Sequence, residues 1–195
     1  MKSIAYCLSV LTGLFSLSSC GAKPDIAGTT GSEFQQKGEI IQTVSEDWGS
    51  LVVGDYVLIN NVWNKIHAAS GRSLQKIFVE NLSNKKTIGW QWEWPNSKDV
   101  VSYPEVVFGT KPWDTNNIPY ESNGVIPFKI LAKRVIVNYE AIVRASGTYN
   151  LAFTLWGVSN LMKPKDSICN EIMIWLDKQG AIPAGRNMGS VTYNE

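Results

Sequence analysis

Histidine is nearly absent, with His67 the only one in 195 residues. Metal sites built from several histidines are therefore excluded, and a serine–histidine–aspartate triad would rest on His67 alone. Its neighbours Asn64, Lys65 and Ile66 form no nucleophile elbow, so His67 reads as a solvent-facing side chain at a strand end. Cysteine is scarce too: Cys7, Cys20 and Cys169 lie too far apart for a Cys-x-x-Cys pair. Glycine-rich phosphate loops and calcium-loop patterns are missing, and neither a cofactor nor a metal is expected. An excess of either charge is also missing. Lys+Arg 18 against Asp+Glu 17 provides no basic patch for nucleic acid. Long apolar stretches are limited to Ile4–Leu17, too short to span a bilayer as a permanent helix but suited to a signal-peptide core behind Lys2.

What is present begins with that leader. Leu17-Ser18-Ser19-Cys20 resembles the lipobox of bacterial lipoproteins, in which the cysteine becomes the lipidated first residue; an ordinary signal peptide with an incidental cysteine is the alternative. Three segments are expected: a signal peptide over 1–19, a flexible tether over 20–37 rich in Gly, Ser, Thr and Pro, and a domain over 38–195. Cleavage takes Lys+Arg from 18 to 17 against Asp+Glu 17, so the mature formal charge is zero and the expected ligand is neutral. Lipidation of Cys20 would leave Cys169 as the remaining thiol, so no disulfide is expected in the mature chain. The expected location is the bacterial cell envelope or outside it, with membrane contact through the Cys20 lipid anchor and no nucleic-acid partner. The length suits one domain with a sizeable core, expected to be a monomer.

From Val52 onward, short runs rich in β-branched and aromatic residues alternate with turn formers. The runs are Asp55–Val62, Gln75–Glu80, Ile88–Trp94, Val100–Phe108, Lys129–Asn138, Thr148–Trp156 and Asn170–Leu176. An all-β sandwich or jelly roll is predicted. A modest helical candidate over Val158–Lys165 is limited by Pro164.

The segment Glu171-Ile172-Met173-Ile174-Trp175 is the most informative. As a strand it puts Glu171, Met173 and Trp175 on one face and Ile172, Ile174 and Leu176 on the other. A carboxylate beside a thioether and an indole suits a sugar-binding groove, while the aliphatic face can pack on a core. Asn61 and Trp63 similarly share a face, an amide beside an indole. Trp90, Trp92 and Trp94 alternate along one strand and fit either a sugar platform or a tryptophan-lined core. In Thr148–Thr154, Tyr149, Leu151 and Phe153 alternate with Asn150, Ala152 and Thr154, the latter set expected to face the groove.

Taken in order, Trp48, the Asn60-Asn61-Val62-Trp63 strand, Ser102-Tyr103-Pro104-Glu105 through Lys111-Pro112-Trp113, Thr148–Phe153 and Glu171–Trp175 resemble glycoside hydrolase family 12, the small endoglucanases and xyloglucanases. That resemblance implies a β-jelly roll sandwich of two antiparallel sheets, bent around a concave cleft. It implies endo-cleavage of β-1,4-glucan (cellulose-type, mixed-linkage or xyloglucan) with retention, Glu171 being the nucleophile. Trp48, Asn61, Trp63, Asn150, Met173 and Trp175 are implied substrate-binding residues. Many family members carry Asp at the position read as Asn150, where a second carboxylate would act on the nucleophile. The family's acid/base Glu lies in a later strand with no match in the sequence, so a chain lacking its last strands is expected. The competing readings are a non-catalytic surface glycan-binding lipoprotein, or an inactive fragment, and a structural sandwich whose tryptophans are core.

Overall fold

The computed structural model describes residues 3–10, 38–68, 70–71, 73–82, 84–95, 100–109, 111–113, 137 and 140–192. It is all-β. Among the described residues, ten strands run β1 Ser3–Val10, β2 Glu39–Val44, β3 Ser50–Val53, β4 Tyr56–Ile59, β5 Leu74–Leu82, β6 Lys85–Trp94, β7 Glu105–Phe108, β8 Glu140–Arg144, β9 Tyr149–Val158 and β10 Ile168–Gln179. Every strand pairing is antiparallel.

Hydrogen bonding divides the strands into three sheets rather than the two expected: β2-β5-β6-β1-β8, β3-β4-β7, and β9 with β10. The turns follow the local residues. Val53 pairs with Tyr56 across Gly54-Asp55, and Gly54 takes φ 59, a left-handed value that glycine accepts without a Cβ clash. Leu82 pairs with Lys85, and Asn84 at φ 64 is one of the few side chains tolerant of that region. β7 begins immediately after Pro104, which has no N–H to donate to a ladder. The segment read as a possible helix instead closes with a single 3-10 turn, Lys165–Ser167, N-capped by Pro164.

The core lies between the five-stranded and three-stranded sheets. Leu58 of β4 is fully buried against Ile77 and Val79 of β5 and Ile88 and Trp90 of β6, flanked by Leu51, Val106 and, from β9, Leu151. Each such side chain contributes roughly 1.5–3 kcal/mol through apolar burial. Val62, Trp94 and Val101 form a second cluster, and Trp92 packs against both. The tryptophan triplet is thus core, not a sugar platform: its face meets β4 and the Val62 segment, where indole area is removed from water.

One polar hub fixes the segment after β4. Gln75 is buried; its Nε2 donates to the Asn61 carbonyl at 2.9 Å, and its Oε1 accepts from Trp94 Nε1 at 3.1 Å and from the Ser102 hydroxyl. Asn60 Nδ2 donates to the Glu46 carbonyl at 2.9 Å. Buried amides with partners this specific set backbone position, and here they anchor Asn61 and Trp63. The run Ser3–Val10, part of the expected leader, lies as β1 between β6 and β8. Cys20, the tether and most of the Lys129–Asn138 run fall outside the described residues.

Candidate functional site

In antiparallel pairs, residues directly opposite share a face. Glu171 lies opposite Trp156, Met173 opposite Thr154 and Trp175 opposite Ala152. One face of β9–β10 therefore carries Glu171, Met173 and Trp175 beside Trp156, Thr154 and Ala152. Trp175 Nε1 donates to Met173 Sδ at 2.8 Å, which orients the indole along the strand. Glu171 is exposed.

The opposite face departs from expectation. Ile172, Ile174 and Leu176 are exposed, Ile174 by 52%, so the aliphatic side of β10 has no core beneath it among the described residues. Of the β9 residues on that face, Leu151 packs against the main cluster.

A second aromatic group is formed by Trp63, in the segment after β4, and Tyr103. Trp63, 53% exposed, stacks on Tyr103 with ring centroids 6.4 Å apart and planes at 9°. The Trp63 N–H donates to Asn61 Oδ1 at 2.9 Å, an Asx turn that sets the indole's exit. Asn61 Nδ2 donates to Glu105 Oε1 at 2.9 Å. The Asn61 amide, expected to face a ligand, thus already has a protein partner at each end. A third group lies at Lys111–Trp113: Lys111 pairs with Glu105, its Nζ sits 5.9 Å from the Trp113 ring centroid, and Trp113 meets Trp156 edge-on at 4.7 Å.

Asn150 does not stand beside Glu171. It lies opposite Lys178, six residues along β9 from Trp156, and the β9 side chains that flank Glu171 are Trp156 and Thr154. The sequence reading failed here because alternation assigns a face but gives no position along the partner strand. Asn150 Oδ1 accepts from the Tyr103 hydroxyl at 3.0 Å, while its Nδ2 is buried without a hydrogen-bond partner. Burial raises the Tyr103 hydroxyl pKa above its ordinary value; the Asn150 hydrogen bond opposes this, and the Glu171 charge adds a smaller upward push.

Trp48 sits in the turn before β3 with φ 63, an uncommon conformation for a bulky residue. Its N–H donates to the Asn60 carbonyl at 3.0 Å, so its backbone borders Asn61, and its indole is 55% exposed. Glu105, Tyr103 and Trp156 are the residues that sequence reasoning left without a role. Only their placement next to Asn61, Asn150 and Glu171 reveals them. Among the described residues, no group of three or more His, Cys, Asp or Glu could hold a metal ion. A cavity of about 140 Å³ is bounded by Asp47, Lys65, Gln75 and Trp94, among others, and its lining includes none of the residues around Glu171.

The chain is similar to a protein of Pectobacterium parmentieri named "Endoglucanase S", 33% identical over 146 residues, which cover 72% of this chain and 52% of that protein. The chain thus spans about half the length of the curated relative it matches. No protein-family model matches it, and no solved structure does.

Proposed function

We propose that this chain belongs to an endo-acting glycoside hydrolase of family 12 type that binds and cleaves β-1,4-glucan. The observation that carries this reading is the 33% identity to an endoglucanase across 146 residues. The surface described above is its chemical complement. A neutral polysaccharide presents apolar C–H faces and hydroxyl edges; the Trp63–Tyr103 and Trp113–Trp156 pairs offer indole and phenol faces to the first, and the exposed Glu171 carboxylate offers a nucleophile at the anomeric carbon.

In the retaining mechanism, Glu171 attacks C1 as the leaving oxygen is protonated, giving a glycosyl ester that water then hydrolyses. Retention requires a second carboxyl group about 5–5.5 Å away. Two described carboxylates are engaged elsewhere: Glu105 by Asn61 and Lys111, and Asp177 by the Tyr149 hydroxyl. A second reading is a surface protein that holds glucan without cleaving it. In both readings Cys20 is the proposed lipid anchor at a bacterial envelope, which mass spectrometry of the mature N-terminus tests; a start other than a modified Cys20 removes the anchor.

The deciding assay uses β-glucan and an aryl cellobioside with an activated leaving group, which needs little acid assistance. Glu171→Gln is expected to abolish aryl-glycoside turnover while leaving glucan binding in place. Unchanged turnover in Glu171→Gln removes the nucleophile assignment. Glucan binding without turnover by the unaltered chain selects the binding reading, and neither binding nor turnover rejects both.

A further inference from the structure

We propose that Glu105 is a positioning residue that holds the two aromatic pairs of this surface in one register, so that a β-1,4-linked oligosaccharide meets both at once. The inference rests on the glucan reading above for its ligand, but not for its geometry. Two donors converge on Glu105 Oε1, Asn61 Nδ2 at 2.9 Å and Lys111 Nζ. The pair is well enclosed, with side-chain exposure of 25% for Glu105 and 12% for Lys111, and charge-assisted bonds in such surroundings fix both partners.

Each donor passes the constraint to one aromatic pair. An ionised carboxylate only accepts, so it turns the NH₂ end of Asn61 toward itself and leaves Oδ1 facing the Trp63 N–H. The reverse orientation would put oxygen against oxygen on one side and N–H against N–H on the other. Glu105 therefore determines the Asx turn that presents Trp63 to Tyr103. On its other side, Glu105 holds the Lys111 ammonium near the Trp113 ring, a cation–π distance, and Trp113 braces Trp156 edge-on. Trp156 lies opposite Glu171. One carboxylate thus fixes an indole in each pair.

The substitutions separate the two arms. Glu105→Gln can still present a carbonyl oxygen to Asn61 but cannot pair with Lys111, so the Trp63 arm should survive and the Trp113–Trp156 arm should loosen. Glu105→Ala releases both. Two readouts on the full 195-residue chain are needed. The first is the exciton circular-dichroism signal of the edge-on indoles, defined by the difference between unaltered protein and Trp156→Phe; it requires no sugar. Glu105→Gln, Glu105→Ala and Lys111→Met are each expected to lose it. The second is calorimetric affinity for cellohexaose, expected to fall about tenfold in Glu105→Ala, the scale of one lost aromatic contact, and less in Glu105→Gln. The Glu105→Ala/Lys111→Met double variant should bind no worse than Glu105→Ala, because Glu105→Ala already releases the Lys111 arm. Thermal melts confirm that the compared samples are folded, and Glu105→Gln serves if the alanine variant does not fold. An exciton signal retained in Glu105→Gln and Lys111→Met, or multiplicative losses of affinity in the double variant, overturns the proposal. Failure of the unaltered chain to bind cellohexaose overturns the glucan reading alone, and the exciton result still decides the role of Glu105.

Discussion

The β4–β5–β6 sandwich and the β9–β10 pair are made from similar residues and treat them oppositely. Leu58, Ile77 and Ile88 are sealed between two sheets, whereas Ile172, Ile174 and Leu176 lie open to solvent. The sandwich is held by layers on both sides and by the Gln75 hub; among the described residues, β10 pairs with β9 alone. Elements with few buried apolar contacts open at lower free energy than the core. The candidate nucleophile is therefore carried by the less supported half, where Trp156, opposite Glu171 on β9, meets Trp113 edge-on.

The largest expected effect follows from β1. A chain starting at Cys20, which is also the mature form that lipid anchoring would leave, loses eight residue pairings along β6 and five along β8; unless another segment takes that slot, it should melt well below the full chain and self-associate through the bared β6 edge. Scanning calorimetry with light scattering checks this; equal melting would mean that another strand takes the slot. Next, Leu58→Ala should cost about 2–5 kcal/mol in urea unfolding, the range for a fully buried leucine. A cost below about 1 kcal/mol would place this position outside the range of sealed-core substitutions.

A smaller effect appears in alkali. Tyr103 has its hydroxyl pKa raised above the ordinary 10.0 in the folded state, chiefly by burial. Raised in the folded form, it contributes stability that is fully present below pH 10 and is lost as pH rises through the folded value. Tyr56 and Tyr149 shift in the same direction, so Tyr103→Phe should lessen, not remove, the alkaline loss of stability. An unchanged slope above pH 10 would discount its burial. Smallest of all, Ile174→Ser should change stability by no more than about 0.5 kcal/mol, as at an ordinary surface position. A loss approaching that of Leu58→Ala would erase the contrast between the two halves.

Much of the architecture was legible because strand alternation is written in side chains. β5, β6, β9 and β10 fall where branched and aromatic residues alternate between turn formers, whereas the run expected over Val100–Phe108 forms a strand only after Pro104. β2, β3 and β8 were missed: Glu39–Val44, for one, is exposed along most of its length and shows no buried stripe to read. For the site, the shared face of Glu171, Met173 and Trp175 followed from period two. The placement of Asn150 did not, since pairing register depends on contacts between distant segments. The tryptophan triplet was ambiguous for a related reason. An indole-lined face is the same pattern whether a sugar or another sheet covers it, and only Leu58 and Val62 across the gap decide.

The register shift between Trp175 and Asp177 has a further effect. Counting by twos from Glu171 would send Asp177 to the same side, yet the extra residue resets the parity of the strand. Asp177 falls opposite Leu151 and bonds to Tyr149 on the far side, and Lys178 takes the near side opposite Asn150. One inserted residue thus acts as a charge sorter, exchanging an anion for a cation at that end of the β9–β10 face without altering the sequence on either side. A variant that shifts the bulge by one position would reverse that polarity, which makes this single irregularity the most economical place to redesign what that end of the sheet face repels.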